Sequence, residues 1–136
     1  MIWKKNHFTA LLDLLLTGLC DCIRDYFLSA VILDLPHLER VTFEDRSLQR
    51  EVLTLFCTQL GAHLVRLGVG VDDDELLELL HTIKGAARGV GAVALAECVA
   101  DEESRCRAGQ SCRMERVSSV AVQTQQAIEH RLAALS

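Results

Sequence analysis

The sequence predicts an all-α fold: an antiparallel up-and-down four-helix bundle with an additional N-terminal helical extension. Half of the 136 residues are hydrophobic, aromatic residues make up only 4%, and there is one proline. Leucine and alanine dominate, and both are strong helix formers. Stripes of apolar residues at spacings of three and four are separated by short glycine-containing breaks, and short connections place consecutive helices side by side and antiparallel.

Residues 1–32 form the predicted N-terminal extension, ahead of a bundle domain over residues 33–136. Pro36 marks the boundary, because the residue before a proline disfavours helix. Three roles stay open for the extension: packing on the bundle, pairing with a second copy as a homodimer, or serving as a leader outside the domain. Its apolar residues recur at helical spacing and comprise Leu11, Leu12, Leu15, Leu19, Ile23 and Phe27.

A short helical turn is predicted over residues 35–41, followed by the first long helix of the bundle. Asp45 or Ser47 can cap this helix by accepting hydrogen bonds from its free N–H groups. The helix is predicted to run to about Leu67, where Gly68-Val69-Gly70 ends it. Its predicted apolar stripe consists of Leu48, Val52, Leu55, Phe56, Leu60, Leu64 and Leu67.

Three further helices complete the predicted bundle. Asp72, Asp73 and Asp74 open the second helix, where negative charge suits the positive end of the helix dipole. That helix is predicted to end near Arg88, before a tight reversal at Gly89-Val90-Gly91. The third helix is predicted over about residues 92–105 and the fourth over about residues 113–134.

The composition excludes several classes of function. The net charge is −5 and no segment is strongly basic, which argues against nucleic acid and anionic membranes as partners. No uncharged apolar run approaches the roughly 20 residues that span a bilayer. The six cysteines lack the paired spacing of a zinc site, so we expect no metal, and we predict a reduced, cytoplasmic protein with Cys57 and Cys98 in its core.

His81 is predicted to point to solvent from the second helix. At about 100° per residue, polar residues and one glycine cluster on the His81 side, while the opposite side is apolar. Leu77 lies close to the His81 side. The residues on the polar side are Asp74, Glu78, Lys84, Gly85 and Arg88, and those on the apolar side are Leu76, Leu79, Leu80, Ile83, Ala86, Ala87 and Val90.

An exposed histidine in these surroundings suits phosphoryl chemistry. A neutral imidazole has a ring nitrogen free to attack phosphorus. The ammonium group of Lys84, at i+3 from His81, can neutralise phosphoryl oxygens, and Arg88 can assist at longer range. Glycine inside a helix costs about 1 kcal/mol relative to alanine, and at Gly85 the missing side chain lets a partner backbone approach. We predict Leu77, Glu78 and Arg88 as partner-binding residues.

The segment resembles the signature of the histidine-containing phosphotransfer family. The family pattern is roughly His-x-x-Lys-Gly, two small residues, Gly-Ala-x-x-Leu and a later acidic residue. Ala86 stands where the family often has serine, so a hydroxyl contact to the phosphoryl group is missing. The resemblance covers about residues 33–136, and the matching residues are His81, Lys84, Gly85, Ala86, Ala87, Gly91, Ala92 and Leu95, with Glu102 or Glu103 later.

The resemblance implies a protein that binds no nucleotide and carries a phosphoryl group between receiver domains. The donor is then a hybrid histidine kinase and the acceptor a response regulator. No cofactor is expected on this chain, because Mg²⁺ belongs to the receiver. One alternative is a non-catalytic module that docks a receiver without accepting phosphate. A metal-binding bundle enzyme is disfavoured, because it needs Glu-x-x-His pairs that point inward on facing helices.

Overall fold

The computed structural model describes residues 32–136, and every regular secondary-structure element in this part of the chain is a helix. The predicted N-terminal extension lies outside the described residues, except for the buried Ile32. None of the described helices is long and apolar enough to cross a lipid bilayer. The helices are α1 (Leu35–Val41), α2 (Arg46–Gly68), α3 (Asp73–Val90), α4 (Val93–Arg107) and α5 (Met114–Leu135).

Helices α2 to α5 form a closed four-helix bundle. Each of them packs against its neighbours in the chain, α2 also packs against α5, and the α3–α4 interface is the most extensive. Short connections over residues 69–72, 91–92 and 108–113 make consecutive helices antiparallel. The predicted four-helix bundle is therefore confirmed within the described residues, and the short helix α1 packs on α3.

The core is built mainly from leucine, valine and alanine side chains on the inward faces of the helices. In α2, Leu53 and Phe56 take core positions, whereas Leu55 is 58% exposed. The prediction that Leu55 belongs to the buried stripe was wrong, because it lies about 200° around the helix from Leu53. Upstream of α2, Leu33 and Leu38 are fully buried in the same core.

Aspartates start three of the five described helices. The side chain of Asp34 accepts a hydrogen bond from the His37 N–H at 3.1 Å and caps α1. At α2 the capping residue is Asp45 and not Ser47. Asp72 caps α3, as the acidic run at that point predicted.

The turn between α3 and α4 requires glycine at residue 91. Gly91 has a φ of +83°, and a Cβ atom there would lie 2.9 Å from the carbonyl oxygen of Asp34. The Asp34 N–H donates to the Gly91 carbonyl at 2.8 Å, and His37 Nε2 donates to the Gly89 carbonyl at 3.1 Å. The segment before α2 is thereby fixed to the end of α3, a role for His37 that the sequence did not predict.

Candidate functional site

His81 lies in the middle of α3 with its side chain 67% exposed. The predicted orientation toward solvent is therefore confirmed. Among the described residues, none forms a hydrogen bond with Nε2 of the ring. One turn further along, a Cβ atom on Gly85 would have no neighbour within 4 Å. The surface beside His81 is thus open to an approaching molecule.

Glu103 of α4 holds the other nitrogen of the ring. Its side chain is only 5% exposed, and Oε1 lies 3.2 Å from Nδ1 of His81. An ionised carboxylate can only accept hydrogen bonds, so Nδ1 carries the proton in this contact. When the ring is neutral, the lone pair therefore resides on Nε2, the exposed nitrogen.

Two cations neutralise Glu103. Lys84 Nζ donates to Oε2 at 2.6 Å, and Arg107 Nη2 donates to Oε1 at 3.0 Å. The hydrogen bond from Lys84 is the largest influence on the pKa of Glu103, followed by burial, which opposes it. Hydrogen bonds from Arg107 and His81 lower the pKa further, to about 2. Glu103 is accordingly a carboxylate at neutral pH.

Lys84 is more buried than the sequence predicted. The helical spacing predicted it on the exposed side of α3 beside His81, but its side chain is only 17% exposed. The Glu103 carboxylate draws it toward α4 and brings Lys84 and His81 onto the same acidic group. Its predicted role in binding the phosphoryl group stays a prediction.

The predicted partner-binding residues surround His81 on α3 with unequal exposure. Glu78 and Arg88 are exposed, and Leu77 is half-buried. Neither Glu78 nor Arg88 forms a side-chain ion pair within residues 32–136. Their charged groups are therefore available on either side of the ring.

The structure separates two neighbouring acidic residues that the sequence could not distinguish. Glu102 is fully buried toward α5, where it accepts hydrogen bonds from the backbone N–H of Arg113 at 2.8 Å and from Arg113 Nε at 2.9 Å. Burial acts to raise the pKa of Glu102, but the hydrogen bonds from Arg113 and Arg116 outweigh it and lower the pKa. Only Glu103 reaches His81.

The sequence did not predict Arg107, which bonds Glu103 beside His81. Its spacing of four residues from Glu103 is the signal that could have found it, because side chains at i and i+4 are neighbours on a helix. The spacing identifies Arg107 only once Glu103, and not Glu102, is known to face His81. Which of the two faces His81 depends on how α4 is rotated against α3.

Fold and site together define a class: a four-helix bundle that presents one histidine nitrogen to solvent and ties the other to a buried carboxylate. A family model, the Hpt domain, matches residues 51–136, and the chain belongs to this family. Membership supports a role in phosphotransfer in two-component signalling. No curated protein and no solved structure was found to match the chain. The matched region starts inside α2, so α1 lies upstream of it.

Proposed function

We propose that this protein relays a phosphoryl group between receiver domains, with His81 as the phosphorylated residue. It takes the group from the aspartate of a hybrid histidine kinase and passes it to a response regulator. The observation that carries the proposal is the asymmetry of the His81 ring. Nδ1 is bound to Glu103, while Nε2 faces solvent beside the bare backbone of Gly85.

The proposed transfer is a direct displacement at phosphorus. The lone pair on Nε2 of His81 forms the N–P bond as the O–P bond of the aspartyl phosphate breaks, and the carboxylate leaves with its electron pair. The ring becomes positively charged because Nδ1 keeps its proton. The ionised Glu103 lies 3.2 Å from that nitrogen and stabilises the charge. Transfer to the second receiver reverses these steps.

This chain contributes mainly position and access. Most of the electrostatic stabilisation of the transferring group is expected from the receiver, which holds Mg²⁺ and a lysine of its own. Lys84 adds positive charge from this side. Gly85 leaves room for the partner backbone, and the partner is expected to contact Leu77, Glu78 and Arg88 around it.

Incubation with radiolabelled, phosphorylated receiver domains tests the proposal. The wild-type chain is expected to acquire acid-labile phosphate, and His81→Gln is expected to acquire none. Because His81 is exposed, the glutamine variant should keep the circular dichroism spectrum and unfolding midpoint of the wild type. His130→Gln on the exposed side of α5 is the matched control and should label normally.

Two results would count against the relay. Labelling of His81→Gln at the wild-type rate would show that another residue accepts the phosphoryl group. Binding of a phosphorylated receiver without any uptake of phosphate by the wild type would favour a non-catalytic docking module instead. Calorimetric titration of the same receivers measures that binding directly.

A further inference from the structure

We propose that Arg107 is a second phosphoryl-binding cation of this site, and that it exchanges Glu103 for the phosphoryl group once His81 is phosphorylated. This inference rests on the proposed function, because it concerns the phosphorylated form of His81. It adds a second residue of α4 to the site, beside Glu103.

The position of Arg107 beside the ring supports the first part of the proposal. Oε1 of Glu103 accepts hydrogen bonds both from Arg107 Nη2 at 3.0 Å and from His81 Nδ1 at 3.2 Å. The guanidinium and the imidazole, which come from different helices, are thus separated by a single oxygen atom. The Arg107 side chain is long and largely exposed, so it can swing past the ring toward a group carried on Nε2.

The contrast between the two cations indicates which one is released. The side chain of Lys84 is 17% exposed and that of Arg107 is 62% exposed. If Arg107 leaves, Glu103 keeps its 2.6 Å bond to Lys84 and its contact with His81, so no buried charge is left without a partner. Arg107 is therefore the cation that can move at low cost.

Charge supplies the driving force for the exchange. In the unphosphorylated site, the positive charges of Lys84 and Arg107 exceed the single negative charge of Glu103. A phosphoryl group brings about −1.5 to −2 near pH 7 and three acceptor oxygens. The planar guanidinium of Arg107 can bind two of those oxygens at once, whereas it now shares one carboxylate oxygen with His81.

The test is the pH titration of the phosphohistidine signal by ³¹P NMR on the full chain. A phosphorylated receiver domain labels the protein, and the resonance missing from His81→Gln identifies residue 81. A cation bound to the phosphoryl group lowers the pH at which its second proton dissociates. In Arg107→Gln we expect that midpoint to rise by about half a pH unit or more, roughly a threefold change in the acid dissociation constant.

Arg105→Gln is the matched control, because Arg105 lies on the same helix but bonds the carbonyl of Ser111. Its titration should coincide with that of the wild type. Arg107→Lys keeps the charge without the planar fork and should give an intermediate midpoint, which also guards against a folding defect in the glutamine variant. Coincident titrations of wild type and Arg107→Gln would overturn the proposal for Arg107 while phosphorylation of His81 stands. Absence of the residue-81 resonance in the wild type would overturn both.

Discussion

At the scale of single residues, Glu103 decides which nitrogen of His81 presents its lone pair to solvent. A histidine alone on a helix exposes both ring nitrogens in either tautomer. The buried carboxylate accepts a hydrogen bond from Nδ1 and so leaves the lone pair on Nε2. Lys84 and Arg107 keep the carboxylate ionised by holding its pKa at about 2. One buried acid thus fixes the tautomer of the exposed ring.

Gly85→Ala should stabilise the fold and at the same time slow phosphoryl transfer. The added methyl group meets no atom within 4 Å, and alanine is favoured over glycine inside a helix by about 1 kcal/mol. We expect the free energy of unfolding in urea to rise by up to that amount, and the rate of phosphoryl transfer from a receiver to fall at least several-fold.

Gly61→Ala in α2 provides the matched control, because its Cβ atom also meets nothing within 4 Å. It should show a similar gain in stability with an unchanged transfer rate. If Gly85→Ala transfers as fast as the wild type, access for the partner is not the reason for glycine at this position.

The sequence was sufficient to place His81 on the exposed side of α3, but not to identify Glu103 as the residue that bonds it. Helical periodicity alone puts His81 opposite a run of apolar residues that includes Leu80 and Ile83, and both of these are buried. The choice between Glu102 and Glu103 depends on the rotation of α4 by about 100°, which only the packed bundle defines. For the same reason, Arg107 could not be assigned from spacing alone.

At the scale of elements, the site is divided between two helices joined by a two-residue turn. Helix α3 carries His81 and Lys84, while α4 carries Glu103 and Arg107. The positive φ of Gly91 allows α4 to return along α3, and this is the most extensive interface of the bundle. Any change that shifts one helix against the other therefore alters the contact between His81 and Glu103.

The Glu103 contacts between α3 and α4 should make the stability of the protein depend on pH. The pKa of Glu103 is about 2 in the folded protein, against 4.5 for an unperturbed glutamate. Because the folded value is lower, the stabilisation is complete above about pH 4.5 and is lost as the pH falls toward 2. Glu103→Gln should unfold more easily at pH 7, by about 1–3 kcal/mol.

Urea unfolding at pH 7 and pH 3 measures this effect. The wild type should lose more free energy of unfolding between the two pH values than Glu103→Gln does. Glu78→Gln, which removes an exposed carboxylate without an ion pair in the described chain, should keep the pH dependence of the wild type. Equal losses in the wild type and in Glu103→Gln would show that ionisation of Glu103 does not stabilise the fold.

Helix α2 shows where the sequence pattern is ambiguous at this scale. Its apolar residues occur on all sides, so a spacing of three or four selects more than one possible face. Leu55 fits the predicted stripe by spacing and yet is exposed, as are Val65 and Val69 near the end of the helix. In α3 the polar and apolar sides are distinct, and the predicted burial of Leu79, Leu80, Ile83, Ala87 and Val90 is confirmed.

At the scale of the whole molecule, the packed core extends upstream of the region that matches the family. The Hpt domain match starts at residue 51, whereas Leu33 and Leu38 are fully buried in the core. Asp34 adds a backbone hydrogen bond to Gly91 at the turn between α3 and α4. The segment before α2 is therefore part of the bundle in structural terms.

Truncation tests this boundary. A chain over residues 32–136 is expected to unfold cooperatively in urea. A chain over residues 46–136 loses the burial of Leu33 and Leu38, each of which contributes about 1.5–3 kcal/mol. We expect its free energy of unfolding to be lower by several kcal/mol. Equal stability of the two truncated chains would show that the segment before α2 does not support the core.

Phosphotransfer through Nε2 of His81 is tested by locating the phosphoryl group after transfer from a receiver. Peptide mass spectrometry identifies the modified residue, and ³¹P and ¹⁵N NMR of the intact protein distinguish the two isomers of phosphohistidine. We expect a single modification, on Nε2 of His81, with Nδ1 still protonated beside Glu103. Phosphate on Nδ1, or on any other residue, would contradict it.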